Sequence, residues 1–205
     1  MNVAPMIHVV DDDAALRSGL LCLLGAAGFE ARGYGSTGEF LLDLPPDRPG
    51  CLLLDLHLPG PSGLELQAAL KRRGIDLPVV FLTGFGDVGA SVRAMKAGAV
   101  DFLEKPVPHD RLLDAIGRAL DHDAAARAVR EEAAALRARF TALTRRERQV
   151  FDGVVAGKLN KQIAGGLGIA ERTVKLQRAQ MMRKLGVGSV AELGALAERW
   201  KGLSA

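Results

Sequence analysis

The chain has 205 residues, 48% apolar, 25% charged and only 4% aromatic, with a net charge of +3. This excludes a disordered chain and leaves room for two compact cores. No apolar run reaches the roughly 20 residues that span a bilayer, and "MNVAPMIHVV" lacks the basic start and long apolar stretch of a secretion signal, so a cytoplasmic protein with no membrane partner is expected.

Charge is unevenly spread. Residues 1–110 hold 9 Lys and Arg against 14 Asp and Glu, residues 111–140 hold 6 against 5, and residues 141–205 hold 12 against 5. The basic tail is the candidate for a polyanion partner. Cys22 and Cys51 sit among leucines and read as small buried hydrophobes, and His8, His57, His109 and His122 show no ligand spacing for zinc.

In chain order, "MIHVV" (6–10), a weaker "EARGY" (30–34), "CLLLD" (51–55), "PVVFLT" (78–83) and "DFLEK" (101–105) predict strands. Between them "ALRSGLLCLLGAAG", "STGEFLLDL", "SGLELQAALKRRG" and "DVGASVRAMKAGA" carry helical spacing and end at Gly or Pro signals. Strands alternating with helices predict a doubly wound, five-stranded parallel sheet covered on both faces, with functional groups at the C-terminal strand ends. Asp11, Asp12, Asp55, Thr83 and Lys105 all fall there.

Residues 108–140 predict one helix, because they are rich in Ala, Leu, Arg and Glu and hold no proline after Pro108. The stripe Leu113, Ile116, Leu120 fades into alanines, so 121–140 is expected to be a solvated, semi-rigid linker with a joint near 121–123; the alternative, a coiled coil, lacks sustained apolar heptads. Asp123 and Arg127 are spaced to pair across one turn. From 141 onward, capping boxes at Thr144/Glu147 and Ser189/Glu192 introduce helices near 145–156, 160–167, 171–185 and 189–200. The tight "LGIA" between the second and third predicts a helix-turn-helix. The expected domains are therefore 1–120, a linker 121–140, and an all-α four-helix unit 141–205.

The run Asp11–Asp13 could simply cap the following helix, Thr83 could be an ordinary strand residue, and Lys105 a solvated charge. One aspartate suffices for a cap, however. Three carboxylates gathered at one sheet edge repel unless a positive charge sits among them. Mg²⁺, a hard cation bound by oxygens, would supply that charge, with Lys105 as a second positive centre. A carboxylate so placed, with the Thr83 hydroxyl nearby, is suited to accept a phosphoryl group, and Asp55, expected to be exposed at its strand tip, is the nucleophile.

"HVVDDD", "LLLDLHLPGPSGLEL", "FLTGFGDV" and "AMKAGAVDFLEKP" resemble the receiver domain of two-component response regulators. "LTRRERQVFDGVVAGKLNKQIAGGLGIAERTVKLQRAQMMRKLG" is similar to the LuxR-type DNA-binding domain, and the pairing resembles the FixJ branch of the FixJ/NarL family. The resemblance implies Asp55 as phosphoacceptor; Asp12, Asp55 and the His57 backbone carbonyl as Mg²⁺ ligands; and Asp11 holding metal-bound water. It further implies Thr83 and Phe102 as a switch pair, Lys105 as phosphate partner and a cis bond before Pro106. Its implied partners are a sensor histidine kinase, promoter DNA, RNA polymerase and, after phosphorylation, a second copy docked through residues 87–97 and 101–104, with Val88, Val92, Lys96 and Asp101 as candidates. Apart from self-phosphorylation and slow self-dephosphorylation of Asp55, no enzymatic activity is implied.

A hydrolase of the haloacid dehalogenase type also uses a strand-end aspartate, but its second acid two residues on is replaced here by His57. A Walker loop is absent, and the helix-turn-helix spacing argues against an RNA-binding output. The helix 171–185 is expected to enter the major groove. Lys175, Gln177 and Arg178 face DNA there, assisted by Lys161, Arg172 and Thr173, while Val174, Met181 and Leu185 are core. Ala170 replaces the usual polar cap, Gln177 stands where the family often has histidine, and Gly165 and Gly166 weaken the preceding helix. In the last helix Val190, Leu193, Ala197 and Trp200 share one face.

Overall fold

The computed structural model describes residues 3–43, 48–84 and 88–204, and divides into two compact units, Met1–Arg127 and Ala128–Ala205. In the first, β1 (Met6–Val10), β2 (Glu30–Tyr34), β3 (Gly50–Asp55), β4 (Val79–Thr83) and β5 (Asp101–Glu104) form a parallel sheet in the order β2-β1-β3-β4-β5. This is the flavodoxin-like order, with its switch point between β1 and β3. β1 pairs with β3 through His8 opposite Leu52, and β3 with β4 through Asp55 opposite Leu82.

Side-chain alternation explains the two layers of helices, because residues two apart on a strand share a face. Val10, Tyr34, Leu52, Leu54 and Phe81 pack with Phe40 of α2 (Thr37–Asp43), Leu66 and Leu70 of α3 (Gly63–Arg72), and Ala90 and Ala94 of α4 (Val88–Lys96). On the other face Ile7, Val9, Cys51, Leu53, Val80 and Leu82 meet Leu20 and Leu24 of α1 (Ala14–Ala26) and Leu112 and Ile116 of α5 (His109–Thr141). Every residue of β3 is buried, as expected of a central parallel strand.

The second unit is all-α: α6 (Arg145–Val155), α7 (Asn160–Leu167), α8 (Glu171–Leu185) and α9 (Val190–Ser204), joined by the end of α5. The expected capping box at Thr144 is present, whereas at Ser189 only half of one forms: Glu192 N donates to Ser189 Oγ at 3.1 Å, but the Glu192 carboxylate takes Gly188 N, one residue before the cap. Thr144 Oγ1 accepts from Glu147 N while Glu147 accepts from Thr144 N, and the Ser189 and Glu192 side chains bond each other. Val174, Met181 and Leu185 are buried as expected, and α9 runs to Ser204 rather than stopping near 200.

Most of 121–140 is exposed helix, as a solvated helical linker requires, but three buried positions depart from that reading. α5 is continuous from His109 to Thr141, Asp123 is buried, and Leu136 and Phe140 enter the second core, where Phe140 stacks on Trp200 at 4.2 Å and meets Phe151 edge-on. Alanine-rich sequence hid this because the apolar contacts are few, widely spaced and made to distant segments. Among the described residues, no helix is long and apolar enough to cross a membrane.

Candidate functional site

At the C-terminal edge of the sheet, Asp11 and Asp12 follow β1, Asp55 ends β3, Thr83 ends β4 and Lys105 follows β5. Asp13 alone caps α1, accepting from Ala15 N at 2.8 Å and Leu16 N at 3.0 Å, and these bonds hold its carboxyl below the usual range. Asp11 and Asp12 are thereby released from capping. Asp11 is wholly buried; Asp55, expected to be exposed, is nearly so, because it ends the fully buried central strand; Asp12 is exposed, and one carboxylate oxygen from each of the three lies within 4.8 Å of the others.

Lys105 Nζ reaches into this cluster, 2.7 Å from Asp11 Oδ2 and 3.0 Å from Asp55 Oδ2. Its partial burial alone would lower the ammonium pKa, but hydrogen bonds to Asp11 and Asp55, with their charges, outweigh that and raise it. Lys105 N donates to Thr83 O at 2.7 Å, and the Lys105–Pro106 bond is cis. His57 N donates to Asp55 Oδ1 at 3.3 Å. Thr83 is buried, its hydroxyl donating to Gly84 O at 3.1 Å. Phe102, half-buried, lies 6.2 Å from Phe81, ring to ring. Gly63 opens α3 against the site, where a Cβ would stand 2.4 Å from Asp55 O, so only glycine permits this approach.

The site fits a hard divalent cation: three carboxylates face one ammonium, and the converging donors are all oxygen.

In the second unit, α7 and α8 are joined at Gly168–Ala170, and Ala170 offers no side-chain cap to α8. Arg172, Lys175, Leu176 and Ala179 form an exposed stripe along α8, with Lys161 exposed on α7. Lys175 pairs weakly with Glu171 at 3.6 Å. Thr173, Gln177 and Arg178 are half-buried, and Arg178 Nη1 donates to Asn160 Oδ1 at 3.1 Å, bracing α8 against the start of α7.

Residues 7–117 match the response regulator receiver domain, and residues 141–197 match the bacterial regulatory proteins of the luxR family. The chain is 43% identical to the transcriptional regulatory protein FixJ of Rhizobium meliloti over 93% of this chain and 94% of that protein. It is 42% identical to nodulation protein W of Bradyrhizobium diazoefficiens over 94% and 85%. This chain is a response regulator. Among solved structures, the response regulator StyR superposes with a TM-score of 0.90 at 47% identity, covering 96% of this chain and 99% of that one. Full-length FixJ from B. japonicum gives 0.60 at 41% identity over 96% and 97%.

The response regulator is accordingly a phosphorylation-controlled transcriptional regulator of a two-component system, with a kinase at its input and DNA at its output. Its family consists of transcription factors rather than enzymes. Reading the sequence missed Leu176, 56% exposed on α8, and Met95, 47% exposed beside Val92 on α4. Leu176 sits in a polar run, and only an exposed apolar group on a basic helix would have signalled it. Of the expected pairing surface, Val92 and Lys96 are exposed, while Asp101 is held by Arg118 and by Phe102 N. The Val88 side chain lies outside the described residues.

Proposed function

We propose that this regulator accepts a phosphoryl group on Asp55 from a phosphohistidine of a sensor kinase. An Asp55 carboxylate oxygen forms the new P–O bond, the P–N bond to the imidazole breaks, and the departing nitrogen keeps the electron pair. Asp11, Asp12, Asp55 and the His57 carbonyl would hold Mg²⁺, which when bound neutralises charge on the transferring oxygens. Lys105 supplies a fixed positive charge at the same point, and Thr83, by giving up its bond to Gly84 O, can donate to a phosphoryl oxygen. The observation that carries this reading is the Lys105 ammonium shared between Asp11 and Asp55.

The receiver is taken as residues 1–120 and the output domain as 141–205, with 121–140 joining them. Thr83 and Phe102 pass the phosphoryl state to the α4–β5 surface, where Val92, Lys96 and Asp101, with Val88, pair two copies of the chain. The dimer binds promoter DNA through α8 in the major groove, and Lys161, Arg172, Thr173, Lys175, Gln177 and Arg178 contact it. RNA polymerase is the final partner, and the setting is the cytoplasm.

Intact-mass measurement after incubation with acetyl phosphate tests the chemistry. One added phosphoryl group is expected, absent in Asp55→Asn and absent with chelator; uptake that survives either change refutes it.

A further inference from the structure

Asp123 and Arg127 lie in the stretch that reads as solvated, yet both are tied to the start of β3. Asp123 Oδ2 accepts from Gly50 N at 2.9 Å and from Arg127 Nε at 2.9 Å, and Arg127 Nη2 donates to Arg48 O at 2.6 Å. Asp123 is 2% exposed. Gly50 admits no other residue, because a Cβ would stand 2.0 Å from Met6 O.

Stability alone is a poor reason for this arrangement. A buried ion pair generally stabilises no better than apolar residues of the same volume, and Asp123 Oδ1 has no hydrogen-bond partner among the described residues, which adds a desolvation cost. Position suggests a better one. β3 starts at Gly50 and ends at Asp55, a buried strand of six residues. α5 continues beyond Arg127 and contributes Leu136 and Phe140 to the second core. The strand that ends on the phosphoacceptor is thus bonded, at its other end, to the helix that leads to the DNA-binding unit.

We propose that the Asp123–Arg127 clasp couples the two: β3 and the middle of α5 respond as one piece, and the phosphoryl state of Asp55 is read as a change in how firmly α5 is held at Gly50 and Arg48. The inference rests on the role of Asp55 proposed above. Linkage then requires the clasp to differ in free energy between the two phosphoryl states, and loosening it to alter the response at DNA.

The experiment uses the full chain with Mg²⁺ and a fluoroberyllate phosphoryl mimic. Hydrogen exchange of the Gly50 amide, read by NMR, is expected to change by about twofold or more on addition of the mimic, the scale of modest coupling; unchanged exchange overturns the proposal. In Asp123→Asn and Arg127→Gln, neither of which touches the reacting atoms, phosphoryl uptake from acetyl phosphate should stay within about twofold of the parent, the low end of coupling through residues that contact no ligand. The phosphorylation-dependent gain in DNA affinity should shrink at least about fivefold, the low end of ordinary allosteric coupling. Arg127→Gln leaves the Asp123–Gly50 bond in place, so it serves where the Asp123 variant does not fold. An undiminished gain in the folded variants refutes the clasp. Failure of the Asp55 reading looks different, since the parent then takes up no phosphoryl group or Asp55→Asn takes up as much, and the proposal falls with it.

Discussion

Lys105 Nζ stands 3.0 Å from Asp55 Oδ2 and closer still to Asp11, so one ammonium bridges a phosphoacceptor candidate and its acidic neighbour. Lys105→Ala should leave three carboxylates without their fixed counter-charge. Removing one partner of a buried pair typically costs about 3–5 kcal/mol, and partial exposure of Lys105 places this site at or below the low end. Phosphoryl uptake from acetyl phosphate should fall, and thermal unfolding with Mg²⁺ present should recover much of the loss, since a bound cation stabilises the folded state by mass action. Uptake at the parental rate would contradict the bridging role.

Thr83 tests the relay. Its hydroxyl is committed to Gly84 O in the structure, so transferring that bond to a phosphoryl oxygen exchanges one partner for another. Thr83→Ala should still take up phosphate, more slowly, and should lose phosphorylation-driven dimerisation measured by light scattering. Normal dimerisation in that variant would separate Thr83 from the switch.

His8 should make the receiver sensitive to acid. Burial lowers its pKa from 6.5 to about 4 against the opposing charge of Asp43, and Nδ1 lies 3.1 Å from the Tyr34 hydroxyl, which donates to Asp43. The unfolded state binds the proton more readily, so His8 adds no penalty above about pH 6.5 and costs stability as pH falls towards 4. A shift of this size corresponds to roughly 3 kcal/mol at the acid limit. In denaturant titrations, His8→Phe should flatten the loss of stability between pH 6.5 and 4 that the parent shows. An equal slope in both would show that His8 is not its source.

The output unit needs residues that precede 141. Phe140 is 2% exposed and stacked on Trp200, and Arg148 donates to its carbonyl at 3.0 Å. Phe140→Ala should cost about 3–5 kcal/mol in the unfolding of this unit. A fragment 128–205 should melt well above a fragment 141–205; equal melting temperatures would place the end of α5 outside the cooperative unit.

The exposed stripe of α8 carries both basic and apolar side chains, which should act differently at DNA. Lys175→Ala should weaken binding to all duplexes and reduce the salt slope by about one, as for a lost phosphate contact. Leu176→Ala should instead relax preference at one base step, by no more than the roughly 1–3 kcal/mol that a mismatched base pair costs, read by competition among operator variants with and without a thymine methyl there. Uniform weakening in both would remove Leu176 from base readout.

Strand-helix alternation, the parallel sheet, the acidic edge and the Thr144/Glu147 capping box were legible in the residues alone, because each rests on local periodicity or on residues within one turn. Asp55 was legible for the same reason: a lone carboxylate ending a buried apolar strand is anomalous without any knowledge of its neighbours. Only tertiary structure decided which aspartate capped α1, since Asp11, Asp12 and Asp13 are chemically alike and their roles depend on which reaches Ala15 N and Leu16 N. Only tertiary structure decided that Asp123 is buried, that Phe140 belongs to the second core and that Arg178 is partly spent on Asn160. In each case the partner lies many residues away in the chain, at Gly50, Trp200 and Asn160, and side-chain periodicity carries no information about contacts made at that distance.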